Sequence, residues 1–199
     1  MLHVSLWGDD GLKMSLEDAI AKLTANTSAL ADLREVLGDR LAHAAVRPGP
    51  IDEAFLPLAP HALYTRDEAL VALGHWSMLD RPEMREGVIH LSNRMVDAFF
   101  VTLHKTESAY SPTTMYDDYA MGPDLFHWQS QSTTSSSSPT GRRYIEHRQR
   151  GYTPLLFVRE YKQLPSGLSA PYFYLGPVQH VSNEGSCPMS IVWRLLHPM

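Results

Sequence analysis

The hydrophobic period of this chain changes at Gly87. Before it, apolar residues recur at helical spacing; after it, they fall in short runs of β-branched and aromatic residues with turn chemistry between them. Two periods in separate stretches of one chain call for an α+β fold, in which helices cover part of a sheet.

Ser15-Leu16-Glu17-Asp18 reads as a capping box, and Ala19, Ile20 and Leu23 follow on one helical face. Leu30, Leu33, Val36, Leu37 and Leu41 continue the period beyond a break near Asn26 to Ser28. Arg47-Pro48-Gly49-Pro50 and Leu56-Pro57-Leu58-Ala59-Pro60 are breaker clusters. Thr65-Arg66-Asp67-Glu68 opens a second capped helix, with Leu70, Val71 and Leu73 as its apolar side and Gly74 at its C-terminal end.

Strands are expected at Val88–Leu91, Asp97–Leu103, Leu155–Tyr161, Tyr172–Gly176 and Ser190–Leu195. The predicted architecture is a helical segment over residues 1–86 packed on one end of a curved sheet or barrel over residues 87–199. Within the latter, Ser132 to Thr140 reads as a flexible loop with no fold of its own.

At 199 residues and 44% hydrophobic content the chain can bury a sizeable core. No run of eighteen apolar residues occurs, and the opening Met1-Leu2-His3-Val4-Ser5-Leu6-Trp7 lacks the regions of a signal peptide, so a cytoplasmic protein without membrane contact is expected. A lone Cys187 makes no internal disulfide and has no His or Cys beside it at zinc-ligand spacing.

The net charge of -5 is unevenly placed. Residues 1–87 hold eight Lys and Arg against fourteen Asp and Glu, whereas residues 88–199 hold nine against eight. In the second part Arg142, Arg143, Arg148, Arg150, Arg159 and Lys162 face only Glu146 and Glu160, a local basic cluster able to meet phosphates. A solvated strand pair with ordinary surface arginines is the competing interpretation.

The densest chemistry lies in Thr113 to Tyr144, centred on Leu125-Phe126-His127-Trp128-Gln129-Ser130-Gln131-Ser132. Tyr116, Tyr119 and Trp128 offer faces for stacking a base, Asp118 can accept from an exocyclic amino group, and Gln131 offers a paired donor and acceptor. Arg142 and Arg143 can clamp phosphates beside them. Equally, Tyr119, Phe126 and Trp128 can be core aromatics and Asp118 a turn cap. No phosphate-binding glycine loop, nucleophile elbow or zinc-helix motif is present, and His127, His147 and His180 form no metal pattern, so neither cofactor nor metal is expected.

Several segments together resemble a known family. They are Phe99 to Glu107, Met115 to Ala120, Phe126 to Ser132, Gly141 to Ile145, Leu156 to Glu160, Pro171 to Gly176 and Glu184 to Ile191. Over at least Leu58 to Pro198 the chain is similar to a C-terminal domain of unknown function of bacterial superfamily II helicases, many of which carry a phospholipase D-type nuclease. Proteins of this type include type IV, modification-dependent restriction enzymes, whose C-terminal domain resembles the SET-and-RING-associated (SRA/PUA-like) base-flipping fold.

The resemblance implies a non-catalytic DNA-reading module, with helicase and nuclease domains of the parent chain as partners and residues 1–57 as a helical connector. It implies that a modified cytosine, 5-methyl or 5-hydroxymethyl, swings out of duplex DNA into a pocket of Tyr116, Asp118, Tyr119, His127, Trp128, Ser130 and Gln131. Phosphates would meet Lys105, Ser132, Thr133, Arg142, Arg143, Arg148 and Arg150. Two other readings remain open: a nuclease or hydrolase with His127 or His147 as general base beside Asp118, and a structural domain that docks on the helicase.

Overall fold

The computed structural model describes residues 6–7, 13–43, 57–76, 82, 87–104 and 117–198. Its strands are β1 (Leu63–Tyr64), β2 (Val88–Leu91), β3 (Val96–Thr102), β4 (Tyr119–Ala120), β5 (Leu125–Gln129), β6 (Thr153–Arg159), β7 (Tyr172–Gly185) and β8 (Met189–Leu195). They form one curled sheet, a half-barrel, in the order β2-β3-β6-β7-β8-β5-β4, with β1 added to β7. Four complete helices lie among the described residues: α1 (Leu16–Ala25), α2 (Thr27–Ala42), α3 (Arg66–Ala72) and α4 (Pro139–Ile145). The α+β class and the curved sheet agree with the sequence pattern.

Strands β3 and β6 run parallel, while the other pairings among the described strands are antiparallel. A parallel pair needs a long crossover to bring the chain back to the same end. Here residues 103–152 make it, and β4, β5 and α4 form along the way. Every residue of β3 is buried, as expected for a central strand covered on both faces. Val96, Ala98 and Phe100 enter one core with Leu70, Leu73, Trp76, Phe157, Tyr172 and Tyr174. Phe99 and Val101 enter a second with Phe126, Trp128, Tyr144, Ile191 and Trp193. Each fully buried side chain of this size contributes about 1.5–3 kcal/mol of transfer free energy.

Helix α3 seals the first core. Thr65 Oγ1 accepts from the Glu68 N–H at 3.2 Å and Glu68 Oε2 accepts from the Thr65 N–H at 2.8 Å, so the capping box is complete. The α1–α2 pair behaves differently from the expected end-cap. The break near Asn26 is real, since Asn26 closes α1 and its side chain caps α2. Yet Ala19 is the only residue of the two helices that is buried, and Leu16, Ile20, Val36, Leu37 and Leu41 stay exposed. Asp32, Arg34, Glu35, Asp39 and Arg40 cut the apolar stripe of α2 too narrow to seat it deeply.

The Ser-rich segment also departs from expectation, because its last residues begin α4. Ser138 Oγ accepts the Gly141 N–H at 3.1 Å and Pro139 occupies the first turn, where its missing N–H costs nothing. The segment is tied down elsewhere: Ser138 Oγ donates to the Ser135 carbonyl at 2.7 Å, and the Thr134 carbonyl accepts the Cys187 N–H at 3.0 Å. Gly141 is required there, since a Cβ would collide with the Ser135 carbonyl. No helix among the described residues is long and apolar enough to cross a membrane.

Candidate nucleic-acid interface

Strand alternation divides the segment that reads most densely in sequence. Successive side chains of β5 point to opposite faces, so Phe126 and Trp128 turn inward while His127 and Gln129 turn outward. Trp128 is 4% exposed and lies stacked on Phe99, with ring centroids 4.3 Å apart. Ser130 is fully buried, with its Oγ accepting the Met189 N–H at 2.9 Å and donating to the Gln131 carbonyl at 3.2 Å. Gln131 Oε1 accepts from Tyr144 Oη and Thr134 Oγ1, both at 3.3 Å. Trp128, Ser130 and Gln131 therefore build the wall of the second core.

On the outer face Tyr119, cross-strand from His127, stacks on its imidazole with centroids 4.7 Å apart and planes 19° from parallel. Tyr119 is 44% exposed. His127 Nδ1 donates to the Asp117 carbonyl at 2.7 Å, which orients the ring and leaves Nε2 pointing elsewhere. A reciprocal clip holds this edge: Asp118 Oδ1 accepts the Gln129 N–H, and Gln129 Oε1 accepts the Asp117 N–H, both at 2.9 Å. Asp118 is thereby buried and acts as a substitute for strand pairing. Of the seven pocket residues expected from sequence, Tyr119 and His127 come together with usable faces. Tyr116, like Lys105 of the phosphate set, lies outside the described residues.

The phosphate set divides too. Arg142 and Arg148 are exposed, as are Ser132 and Thr133 on the loop before α4. Arg150 is held by Glu146, whose Oε2 accepts from Nε at 2.8 Å and from Nη2 at 2.6 Å. Arg143 turns inward: its Nε donates to Asp97 Oδ2 at 2.8 Å, and its guanidinium lies over the rings of Tyr144 and Tyr152. Burial works against this charge, but the Asp97 carboxylate outweighs it and holds the guanidinium above its ordinary pKa.

Sequence patterns miss the group around Asp97. The carboxylate is fully buried, with Oδ2 on Arg143 and Oδ1 accepting from His90 Nδ1 at 3.0 Å across the β2–β3 pair. A signal for it exists in Val96-Asp97-Ala98-Phe99-Phe100, where a charged residue sits inside an apolar strand and so demands a partner. The partner's identity is not local, because Arg143 arrives from α4.

His147 is likewise a structural residue. Its Nδ1 donates to the Tyr152 carbonyl at 3.1 Å, and its Nε2 accepts the His180 N–H at 3.2 Å. Burial lowers its pKa, with the Tyr152 carbonyl bond opposing and the nearby His180 and Arg148 adding to the fall. With both ring nitrogens committed, the side chain is not poised as a general base. Beside it Trp193 is fully buried, and its Nε1–H has no hydrogen-bond partner among the described residues. Such a group costs about 1–3 kcal/mol of desolvation. No group of three or more His, Cys, Asp or Glu among the described residues is placed to hold a metal ion.

The molecule is thus of the α+β class, a half-barrel sheet with two aromatic cores and an exposed basic turn after α4. The chain belongs to the family described as a domain of unknown function, DUF3427, which it matches over residues 58–199. The match takes in every described strand, α3 and α4, and both cores; α1 and α2 lie ahead of it. No curated protein matches the chain.

Proposed function

We propose that this domain is a non-catalytic DNA-recognition module that reads a modified cytosine by base flipping, as part of a modification-dependent restriction helicase–nuclease. The observation that carries the reading is the Tyr119–His127 stack, in which the exposed ring of edge strand β4 lies on a half-buried imidazole of β5. An extruded base would lie on Tyr119. His127, held by the bond of its Nδ1 to the Asp117 carbonyl, backs the Tyr119 ring from behind and fixes the plane on which the base would stack.

The energetics need a second contribution. Stacking on one aromatic ring yields roughly 1–3 kcal/mol, against a few kcal/mol for extruding a base. Arg142 and Arg148 supply the difference through phosphate contacts, which are sequence-independent and salt-sensitive. A buried methyl group adds about 0.8 kcal/mol, so preference for 5-methylcytosine stays modest unless the pocket's shape sharpens it.

Fluorescence anisotropy on matched duplexes with cytosine, 5-methylcytosine or 5-hydroxymethylcytosine tests the reading. The wild type should prefer a modified duplex, and Tyr119→Ala should erase that preference, at a loss of about 1–3 kcal/mol on the preferred duplex. Arg142→Ala with Arg148→Ala should weaken all three duplexes alike and flatten the salt dependence. Equal affinity for the three duplexes, unchanged by Tyr119→Ala, would sink the assignment.

A further inference from the structure

The ladder between β6 and β7 lapses where the two halves of the sheet meet. Pro154 and Pro177 stand there without an N–H to give, and Leu155 with Pro177 is the last backbone pair of the two strands at that end. From Val178 onward β7 pairs, among the described strands, with β8 alone. The imidazole of His147 takes over at this point. Its Nδ1 lies 3.1 Å from the carbonyl of Tyr152, the residue before β6, and its Nε2 lies 3.2 Å from the backbone nitrogen of His180 in β7. The Leu196 N–H donates to the Pro177 carbonyl, so ladder alternation turns the His180 N–H away from β8 and towards the ring. One side chain, 3% exposed, thus stands in for a missing strand pair.

These two partners fix the ring's protonation. A backbone N–H only donates and a carbonyl only accepts, so Nδ1 carries the proton and Nε2 carries none. A second proton, at Nε2, would set two N–H groups against each other across 3.2 Å. The ring is also held in its plane, by the bond of Nδ1 and by its edge-on contact with the buried Trp193 indole.

The neighbouring charges do little to favour an imidazolium. Arg148, next in the chain, and His180 of β7 oppose it, and Asp97 of β3 favours it. Asp97 is already shared by His90 and Arg143, and Glu146 is paired with Arg150.

We propose that His147 is a proton-sensitive pin at the junction of the two sheet halves. Neutral, it ties Tyr152 to His180; protonated, it lets go of the His180 N–H and loosens the turn at 146–152, which carries Arg148. The opening is local, because β6 stays paired with β3 and β7 with β8. Burial sets it below the ordinary imidazole value of about 6.5, so the pin is closed at neutral pH and opens as pH falls below that value. The pin is separate from the stacking rings Tyr119 and His127, which lie on β4 and β5.

The test is amide exchange on the intact chain, read by NMR from pH 7.5 to 5 and corrected for the intrinsic pH dependence of exchange. At pH 7.5 the ring nitrogens of His147 should report the Nδ1–H tautomer. Protection of the His180 amide should fall on the order of tenfold towards pH 5, the equivalent of one lost hydrogen bond, while amides between β3 and β6 keep theirs. The midpoint should coincide with titration of the His147 ring. His147→Gln offers a donor and an acceptor without titrating, and should flatten the pH dependence at His180. An Nε2–H tautomer at pH 7.5, constant His180 protection in the wild type, a midpoint that follows the His180 ring instead, or the same pH dependence in His147→Gln would each overturn the proposal.

Discussion

The two faces of β3 and β6 bury similar aromatic rings in different surroundings. On the α3 side Phe100 stacks on Phe157, Phe157 on Tyr174, and Tyr172 meets Phe100 edge-on, under a helix that contributes alanine and leucine. The polar atoms there are few, and burial pushes the phenols of Tyr64 and Tyr174 above their ordinary range. On the other side Phe99, Trp128, Tyr144 and Trp193 are ringed by Asp97, Ser130, Thr134 and His147, all buried. The four are tied to Arg143, Met189, Gln131 and His180 respectively. Buried polar groups are costly unless satisfied, and a satisfied network fixes geometry more sharply than apolar packing does. One face of this sheet is therefore a keel, and the other holds side chains in chosen positions.

Truncation of the keel should have the largest effect. Phe157→Ala should cost about 3–5 kcal/mol of stability in a denaturant titration, with no change in any ligand preference of the surviving folded protein. A cost below about 1 kcal/mol would mean that the first core does not carry the fold.

Next comes the polar face. Asp97→Asn leaves Arg143 without its carboxylate and should cost about 3 kcal/mol, the low end for a broken buried pair because Arg143 keeps some solvent contact. In a double-mutant cycle with Arg143→Gln the two losses should be strongly non-additive; simple additivity would show that the pair is not coupled. Smaller again are the caps. Thr65→Ala on the keel side and Ser138→Ala on the polar side should each cost about 1 kcal/mol, read as a shift in denaturation midpoint. A much larger loss at Ser138 would show that the Ser-rich segment nucleates the second core.

The smallest effect is a dependence on pH. Burial lowers His147, so the unfolded chain takes up this proton at a higher pH than the folded one. Stability from this source is whole above the unfolded pKa of about 6.5 and declines as pH falls from there towards the folded value. His180, Arg148 and Asp97 are the charged or titratable neighbours, and His147→Gln can keep both hydrogen bonds without titrating. Stability measured from pH 7.5 to 5 should fall less steeply in that variant; parallel curves would remove His147 from the balance.

Features encoded within a few residues are legible in the sequence. The Thr65–Glu68 capping box, the Asn26 break between α1 and α2, and the positions of β2, β3, β6 and β8 all follow from local chemistry and period. Ser138-Pro139 is also a helix-start signature, but a run of serine and threonine masks it. The full span of β7 is hidden because Pro177 and the polar residues from Gln179 to Glu184 do not alternate in hydrophobicity.

At the site, aromatic density at Tyr119 to Trp128 is visible, but which rings face solvent depends on the phase of β5, and a one-residue shift exchanges the faces. The Asp97–Arg143 pair spans 46 residues and arises from the parallel crossover, so no window of sequence contains it.

That crossover leaves the two halves of the sheet joined through one strand. Tyr174 of β7 pairs with β6 beside the keel, and Val178 to Gly185 pair with β8 beside the polar core. The strand is thus a common spine, and neither half can open along its length without pulling backbone bonds from the other. A load on the polar half, whether a bound ligand or a stabilising substitution, should therefore be felt as slower amide exchange at Tyr174, whose ring lies in the first core.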